Sequence, residues 1–215
     1  MCETSLRGVD SHGIQLLPHY TRSALWVAKI RHQNKNLIKC SQLLGIWTQT
    51  TRKGYIAFAF KHADAFFSTF GGKRAYFGAN PICIAAPREE AEPFCLDMAP
   101  NMISWNKLLG AREKGESLSE KYATDANGNP TEDPESAQAL LPIGGYKGYG
   151  IAAMGEVLCG VLTGMAFGRS IPTMFNSPMD QPRHLGQFYM VLRADVCQSK
   201  SDFESRLQQM RDEVS

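Results

Sequence analysis

Leu-Leu-Pro-Ile-Gly-Gly-Tyr-Lys-Gly-Tyr-Gly, residues 140–150, stands between a short apolar run and the long apolar segment 151–167. Glycine permits sharp turns and lets a ligand approach backbone N–H groups closely. The apolar segment predicts a helix, whose N-terminal dipole would face the glycines, and Lys147 would add a full positive charge. The stretch is therefore either a cradle for an anion or cofactor, or a glycine-rich turn that packs a helix against a strand with Lys147 in water.

Outward from this stretch, short apolar runs predict β-strands at 55–60, 81–86, 93–98 and 186–196. Helical spacing predicts a helix at 103–114 and another near the end of the chain, where Ser201-x-x-Glu204 has the pattern of a capping box. Turn-forming residues fill the loop 125–134. Strands and helices alternate, so the predicted class is α/β or α+β.

The first fifty residues are less regular. Polar residues crowd between glycines in residues 1–13, which is typical of a functional loop or helix start. The apolar residues of 14–26 recur with a partly helical rhythm, although Pro18 interrupts it. Residues 29–49 show little pattern and are predicted to be irregular.

Composition limits the kinds of partner. The 215 residues are 43% hydrophobic and 20% charged with a net charge of +2, which gives no basic field for nucleic acid. Glu156 and three glycines interrupt the one stretch long enough to cross a membrane, so we expect a buried helix and no membrane contact. The N-terminal residues lack the charged-then-apolar pattern of a signal peptide, and six scattered cysteines without a C-x-x-C pair suit a reducing compartment. We therefore expect a cytoplasmic protein without a zinc site.

Several blocks, in order and spacing across most of the chain, resemble the type 2 malate/L-lactate dehydrogenase family, which includes ureidoglycolate and sulfolactate dehydrogenases. They are Arg-Gly-Val-Asp-Ser-His-Gly (7–13), Gly-Ala-Asn-Pro (78–81), Asp-Met-Ala (97–99), the loop 125–134, and 140–150 with its following helix. Phe-Gly-Arg (167–169) and His-Leu-Gly-Gln (184–187) look most like the ureidoglycolate branch.

The resemblance implies an α/β protein with a mixed-sheet, three-layer fold and a nicotinamide-binding domain that is not of the Rossmann type. The missing strand–G-x-G-x-x-G–helix unit agrees with this. It further implies an oxidoreductase that uses NAD or NADP, acts on a small 2-hydroxy or 2-oxo carboxylate, and forms a homodimer. By position, the residues expected at the cofactor are Asn80, Asp97, Met98, Ala99 and Lys147.

On the substrate side, Ser11 and His12 resemble the family's active-site Ser-His-Gly. Removing hydride from a secondary alcohol requires a group that accepts the hydroxyl proton, and histidine titrates in the right range. Tyr20 falls where relatives often have a substrate-side tyrosine, although it could also be a core residue, and Arg7 is the nearest cation for the carboxylate. The other histidines, at 19, 32, 62 and 184, are interpreted as surface or structural residues.

The chain also departs from the family pattern. It begins almost on the Arg-Gly motif, and residues 43–54 lack the family's Asn-Ser-x-His type of motif, whose histidine is the proposed acid/base. Leu16 stands where many relatives have a carboxylate-binding arginine, Ala63 where a hydroxyl residue often serves the cofactor, and the C-terminal Pro-Gly-Glu motif is missing.

We therefore expect three regions: residues 1–50 with part of the substrate site, a cofactor-binding domain over 51–185, and an incomplete C-terminal strand and helix over 186–215. Three interpretations remain open. The chain is a working dehydrogenase, a truncated and catalytically weak or inactive member that acts through dimerisation or ligand binding, or a fragment without a stable fold.

Overall fold

The structure is a computed structural model that describes residues 50–89, 91–174, 177 and 183–215, together with the backbone of residues 25–31. Its strands are β1 Leu25–Arg31, β2 Tyr55–Lys61, β3 Phe67–Ser68, β4 Ala75–Phe77, β5 Ile82–Ala86, β6 Phe94–Met98, β7 Ala123–Thr124, β8 Pro130–Thr131, β9 Ala139–Leu140 and β10 Gly186–Arg193. Its α-helices are α1 Trp105–Lys114, α2 Tyr146–Glu156 and α3 Lys200–Glu213, and a π-helical turn, Val157–Val161, continues α2.

The strands form two five-stranded sheets, with the orders β1-β10-β2-β5-β6 and β4-β3-β9-β7-β8. All neighbours in the first sheet are antiparallel, whereas β3 and β9 in the second are parallel. An antiparallel sheet and a mixed sheet, together with the helices, confirm the predicted α/β class, and the strand order is not that of a doubly wound parallel sheet. None of the helices in the described ranges is long and apolar enough to cross a membrane.

The four strands predicted from apolar runs are confirmed as β2, β5, β6 and β10, each within a few residues of its expected limits. Alternation places Ala57 and Ala59 of β2 on one face beside Cys83 and Ala85 of β5, and all four are buried. Such small side chains let α2 and its π-helical continuation approach the sheet closely.

The prediction for residues 25–31 was wrong. They form β1, which pairs with β10 from Leu25 opposite Leu192 to Arg31 opposite Gly186, instead of a helical rhythm followed by irregular chain. Trp26, Val27 and Ile30 belong to types that favour strands, but the deciding partner is a strand near the other end of the chain. The proposed boundary at residue 185 stays a prediction, although β10 shares one sheet with β2.

Helix α1 confirms the helix predicted at 103–114. The Ser104 side chain accepts a hydrogen bond from Lys107 N at its start, and Gly115, with φ of 65°, ends it. Leu108 is the fully buried residue of this helix. It belongs to a core cluster under the second sheet that also contains Ile103, Leu118, Ala123, Ala137 and Leu140.

Helix α2 differs from the prediction at both ends. It begins at Tyr146, so Lys147 and Gly148 lie in its first turn and not in a loop before it. It changes to π-helix at Val157, where Leu162 N donates to Val157 O at 2.8 Å, and it does not reach Phe167. Gly148 and Gly150 lie in the first part of α2, and because glycine has a low helix propensity, the sequence does not reveal where the helix begins.

Helix α3 is confirmed, but its predicted cap is wrong. The N-cap is Ser199, whose Oγ accepts from Asp202 N at 3.1 Å, whereas Ser201 already lies inside the helix. Glu204, the other half of the predicted capping box, is buried and pairs with Lys200 at 3.6 Å. The true cap has the same Ser-x-x-acid spacing two residues earlier, with aspartate as the acid.

Candidate functional site around the start of helix α2

The turn before α2 is built by two glycines with positive φ. Gly144 has φ of 57° and Gly145 has φ of 62°, in the region that favours glycine. Gly145 is the N-cap residue and offers no side-chain hydrogen bond to the first turn of the helix. Lys147 is exposed, and its aliphatic stem passes 3.7 Å from where a Cβ on Gly144 would stand.

Gly148 brings the start of α2 against the segment that follows β6. A Cβ there would lie 2.5 Å from Ile143 O and 2.8 Å from Pro100 O, which is too close for any other residue. Ile143 N also donates to Pro100 O at 3.1 Å, and Met102 N donates to Leu141 O at 3.0 Å. The glycine-rich stretch therefore does pack a helix closely against a strand end, as one of the two interpretations expected.

This packing places Asp97, Met98 and Ala99 just before the segment that touches α2. Asp97 and Met98 end β6, an edge strand of the first sheet, and Ala99 follows it; Asp97 is opposite Cys83 of β5. Asp97 is exposed, and Met98 and Ala99 are half-buried. Two of the blocks expected to hold the cofactor are thus joined by hydrogen bonds between residues 100 and 143.

Asn80 is fully buried below α2 and uses both ends of its side-chain amide. Its Nδ2 donates to Ala152 O at 2.9 Å and to Glu156 Oε2 at 2.7 Å, while its Oδ1 accepts from Ala63 N at 3.1 Å. Its φ of 31° lies in the left-handed region, where asparagine is one of the more tolerated residues. The amide therefore faces the protein interior and fixes α2 in place.

Glu156 extends this network. It is buried, and its Oε1 accepts from Gly168 N at 2.5 Å while Oε2 binds Asn80. A buried carboxylate is tolerated when N–H groups point at it. Through Glu156 the α2 helix is tied both to the segment before β5 and to the 3-10 turn Gly168–Ser170.

A second buried group lies beside this network. His62 is fully buried, its Nδ1 is within 3.2 Å of Gly186 N and O, and its Nε2 lies 2.9 Å from Ala166 O. These contacts agree with the structural role expected for this histidine. Burial raises the pKa of the nearby Cys159 thiol to about 12, so Cys159 stays protonated at neutral pH and is not a nucleophile.

Asp64 binds two described residues from the part of the chain before β10, Met174 and Arg183. Its carboxylate is buried, forms an ion pair with Arg183 and accepts from Met174 N at 2.7 Å. Arg183 also donates to Pro172 O at 3.0 Å, so one guanidinium joins three parts of the chain. This pair binds the backbone at Pro172 and Met174 and does not contribute to the start of α2.

Among the residues predicted from the sequence, the structure gathers Asn80, Asp97–Ala99 and Lys147 around α2. Residues 7, 11, 12 and 20, which carry the catalytic and substrate-binding predictions, lie outside the described residues. An open cavity of about 630 Å³ lies elsewhere, and Arg52, Arg88 and Lys200 are among the residues that line it.

Sequence reasoning missed the roles of two buried acids, Glu156 and Asp64. A single glutamate within a long apolar segment is a signal of a buried, paired carboxylate, but the sequence does not identify the partners of Glu156. Asp64 and Arg183 are 119 residues apart in the chain, and no local pattern could have joined them.

Comparisons with known proteins identify the family of the chain. The model of the family described as malate/L-lactate dehydrogenase matches residues 27–215. The NAD(+)-dependent ureidoglycolate dehydrogenase of Escherichia coli K12 is 38% identical over 167 residues, which are 78% of this chain and 48% of that protein. The (2R)-3-sulfolactate dehydrogenase (NADP(+)) of Chromohalobacter salexigens is 36% identical, over 61% of this chain and 40% of that protein.

Among solved structures, sulfolactate dehydrogenase from Methanocaldococcus jannaschii superposes with a TM-score of 0.79 at 26% identity, over 93% of this chain and 56% of that one. This chain thus spans about half the length of the relatives that it matches. Both the sequence match and the shared fold lead to one conclusion: the chain belongs to the malate/L-lactate dehydrogenase family.

Proposed function

We propose that this chain carries the nicotinamide-binding part of an NAD- or NADP-dependent dehydrogenase of small 2-hydroxy carboxylates. The observation that supports this most directly is the meeting of two sequence blocks, Asp97–Ala99 and Lys147, at the start of α2 through the Pro100–Ile143 and Pro100–Gly148 contacts. The Escherichia coli ureidoglycolate dehydrogenase is NAD(+)-dependent and the Chromohalobacter salexigens sulfolactate dehydrogenase is NADP(+)-dependent, so both cofactors are candidates.

Each group has a chemical part in this proposal. Asp97 is an exposed carboxylate that can accept hydrogen bonds from ribose hydroxyls, and Met98 and Ala99 offer backbone and apolar surface beside it. The uncapped first turn of α2 favours negative charge, and the Lys147 ammonium adds a charge-assisted donor for a phosphate or carboxamide oxygen. Asn80 serves this site by fixing α2.

The substrate side rests on the sequence resemblance. His12 would accept the hydroxyl proton with Ser11 beside it, Arg7 would bind the carboxylate, and Tyr20 would contact the substrate. A nicotinamide bound beside these residues would supply the hydride acceptor or donor. Malate, lactate, sulfolactate and ureidoglycolate are the candidate substrates.

A second candidate function is ligand binding and association without efficient catalysis. Helix α2 and its π-helical continuation expose the apolar side chains of Met154, Val157, Val161 and Leu162, each more than two-fifths exposed. An apolar stripe of this kind favours contact with a second copy, and a homodimer is the proposed state. The buried thiols of Cys83 and Cys159 support a reducing, cytoplasmic location.

Dinucleotide titration by calorimetry tests the cofactor site. The parent chain should bind NAD or NADP, and Lys147→Ala should weaken binding by about 1–3 kcal/mol because a charge-assisted contact is lost. Lys121→Ala is the matched control, since Lys121 is also exposed but lies before β7, outside the site. Absent binding by the parent, or equal loss in both variants, would contradict the proposed site.

A further inference from the structure

Two cysteines meet at the edge of the first sheet. Cys83 on β5 is opposite Asp97 of β6, and Cys95 on β6 is opposite Ala85, so the two cysteines are diagonal neighbours on one face. Their Sγ atoms are 3.8 Å apart, which is the contact distance of two sulfur atoms. Of the four cysteines that the structure describes, Cys83 and Cys95 are the two whose thiols are in contact.

The two thiols differ in access. Cys95 is exposed on the outermost strand, whereas Cys83 is completely buried among the small residues of β2 and β5. A small oxidant in solution therefore meets Cys95 first. Cys83 stands behind it, where a second thiol can intercept the oxidised sulfur before further oxidation occurs.

We propose that Cys83 and Cys95 form an oxidative modification site that takes a peroxide and closes to a disulfide. The Cys95 thiolate attacks one oxygen of hydrogen peroxide, the O–O bond breaks, and a sulfenic acid forms while the departing hydroxide takes up a proton as water. Cys83 then attacks the Cys95 sulfur, the S–O bond breaks, and a second water leaves. Two thiols are oxidised by two electrons, and one peroxide is reduced to two waters.

Closing the bond requires the sulfurs to move from 3.8 Å to about 2.0 Å. Diagonal positions across a sheet are wider apart than directly opposite ones, so side-chain rotation alone leaves a gap. Strand β6 can supply the remaining shift because it lies at the sheet edge and β5 is its neighbour in that sheet. An edge strand moves without disturbing a second ladder.

Tryptic mapping provides a direct test, because Arg88 separates the two cysteines into peptides 75–88 and 89–107, each with a single cysteine. Reduced protein is treated with one equivalent of hydrogen peroxide, its remaining thiols are blocked with N-ethylmaleimide under denaturing conditions, and the digest is analysed by mass spectrometry. We expect one linked species, 75–88 with 89–107, that disappears on reduction. Linkage of Cys95 to another cysteine, or stable sulfinic acid at Cys95, would overturn the proposal.

Cysteine variants test which thiols form the linked species. Cys95→Ser should abolish the linked species, and Cys197→Ser, which removes an exposed thiol beyond β10, should change its yield by less than about twofold. In concentrated urea the same treatment should distribute the links among several cysteines. An identical mixture from folded and unfolded protein would show that the fold does not direct the reaction.

Thermal unfolding supplies an independent readout. A bond that closes the short loop between β5 and β6 constrains the unfolded chain, so the oxidised protein should have a Tm higher by on the order of 5 °C. The shift should vanish on reduction and be absent in Cys95→Ser. A lower Tm after specific linkage would mean that the bond strains the sheet, and would rule out a site built to close.

Discussion

Asn80 shows how one side chain can serve a site without facing its ligand. The sequence block around it suggests a direct cofactor contact, whereas the structure places its amide between Ala63, Ala152 and Glu156. That contact stays a prediction, and the position of α2 depends on the amide in any case. The left-handed backbone at residue 80 adds a second constraint that few other residues meet.

Replacing Asn80 by alanine should lower the free energy of unfolding by about 3 kcal/mol, because the Glu156 carboxylate and Ala63 N both lose a buried partner. Urea unfolding measures the change. Asn127→Ala is the control, since Asn127 is exposed and only its backbone N–H binds Asp125, so a change within about 0.5 kcal/mol is expected. Equal stability of the Asn80 variant and the parent would contradict the network.

Helix α3 makes a clear test of which serine begins it. Ser199→Ala should reduce the free energy of unfolding by about 1 kcal/mol, because Asp202 N loses its acceptor. Ser201→Ala removes a hydroxyl that bonds the Ser199 hydroxyl at 3.0 Å but caps no backbone N–H, and it should have a smaller effect. Chemical unfolding of both variants distinguishes them, and a larger loss from Ser201 would restore the capping box predicted from the sequence.

A helix or strand can be predicted from the sequence when residues close to it in the chain determine it, and not when a distant contact does. Tyr55–Lys61 and Ile82–Ala86 are short apolar runs bounded by turns, and the pattern alone finds them. The start of α2 cannot be predicted from helix propensity, which is low for glycine. Gly148 is required there because any side chain would collide with Pro100 O. Strand β1 escapes prediction because its partner is β10, far along the chain.

The candidate site shows the same division. The blocks at Asp97–Ala99 and Lys147 can be found by resemblance, and their meeting at Pro100 needs the fold. The ion pair of Asp64 with Arg183 has no sequence signal, since neither residue stands in a pattern.

At the scale of the whole molecule, the exposed stripe on α2 predicts self-association. Light scattering at micromolar concentration should give a mass above that of one chain, and Val161→Glu should lower it by placing a charge in the apolar stripe. Val214→Glu is the matched control, because Val214 is 81% exposed at the far end of α3. A monodisperse monomer for the parent chain would end this proposal.

Catalysis is the second property of the whole molecule. Oxidation of a 2-hydroxy acid needs a nicotinamide, a base and a cation for the carboxylate at one place. Leu16 replaces the family's arginine and the Asn-Ser-x-His motif is missing, so we expect turnover at least about a hundredfold below that of an intact relative, and none in His12→Ala.

The assay follows NADH or NADPH formation with malate, lactate, sulfolactate and ureidoglycolate. Turnover on the order of ten per second would show that the missing motif is dispensable.

The position of β10 between β1 and β2 has a consequence for synthesis on the ribosome. Strands β1 and β2 are both synthesised before β10. The backbone groups that pair with β10 stay unpaired in each of them until residues 186–193 leave the exit tunnel. Such long-range pairing slows folding and leaves strand edges unprotected during translation. We therefore expect the yield of folded protein to depend on how soon residues 186–193 follow the strands that they join.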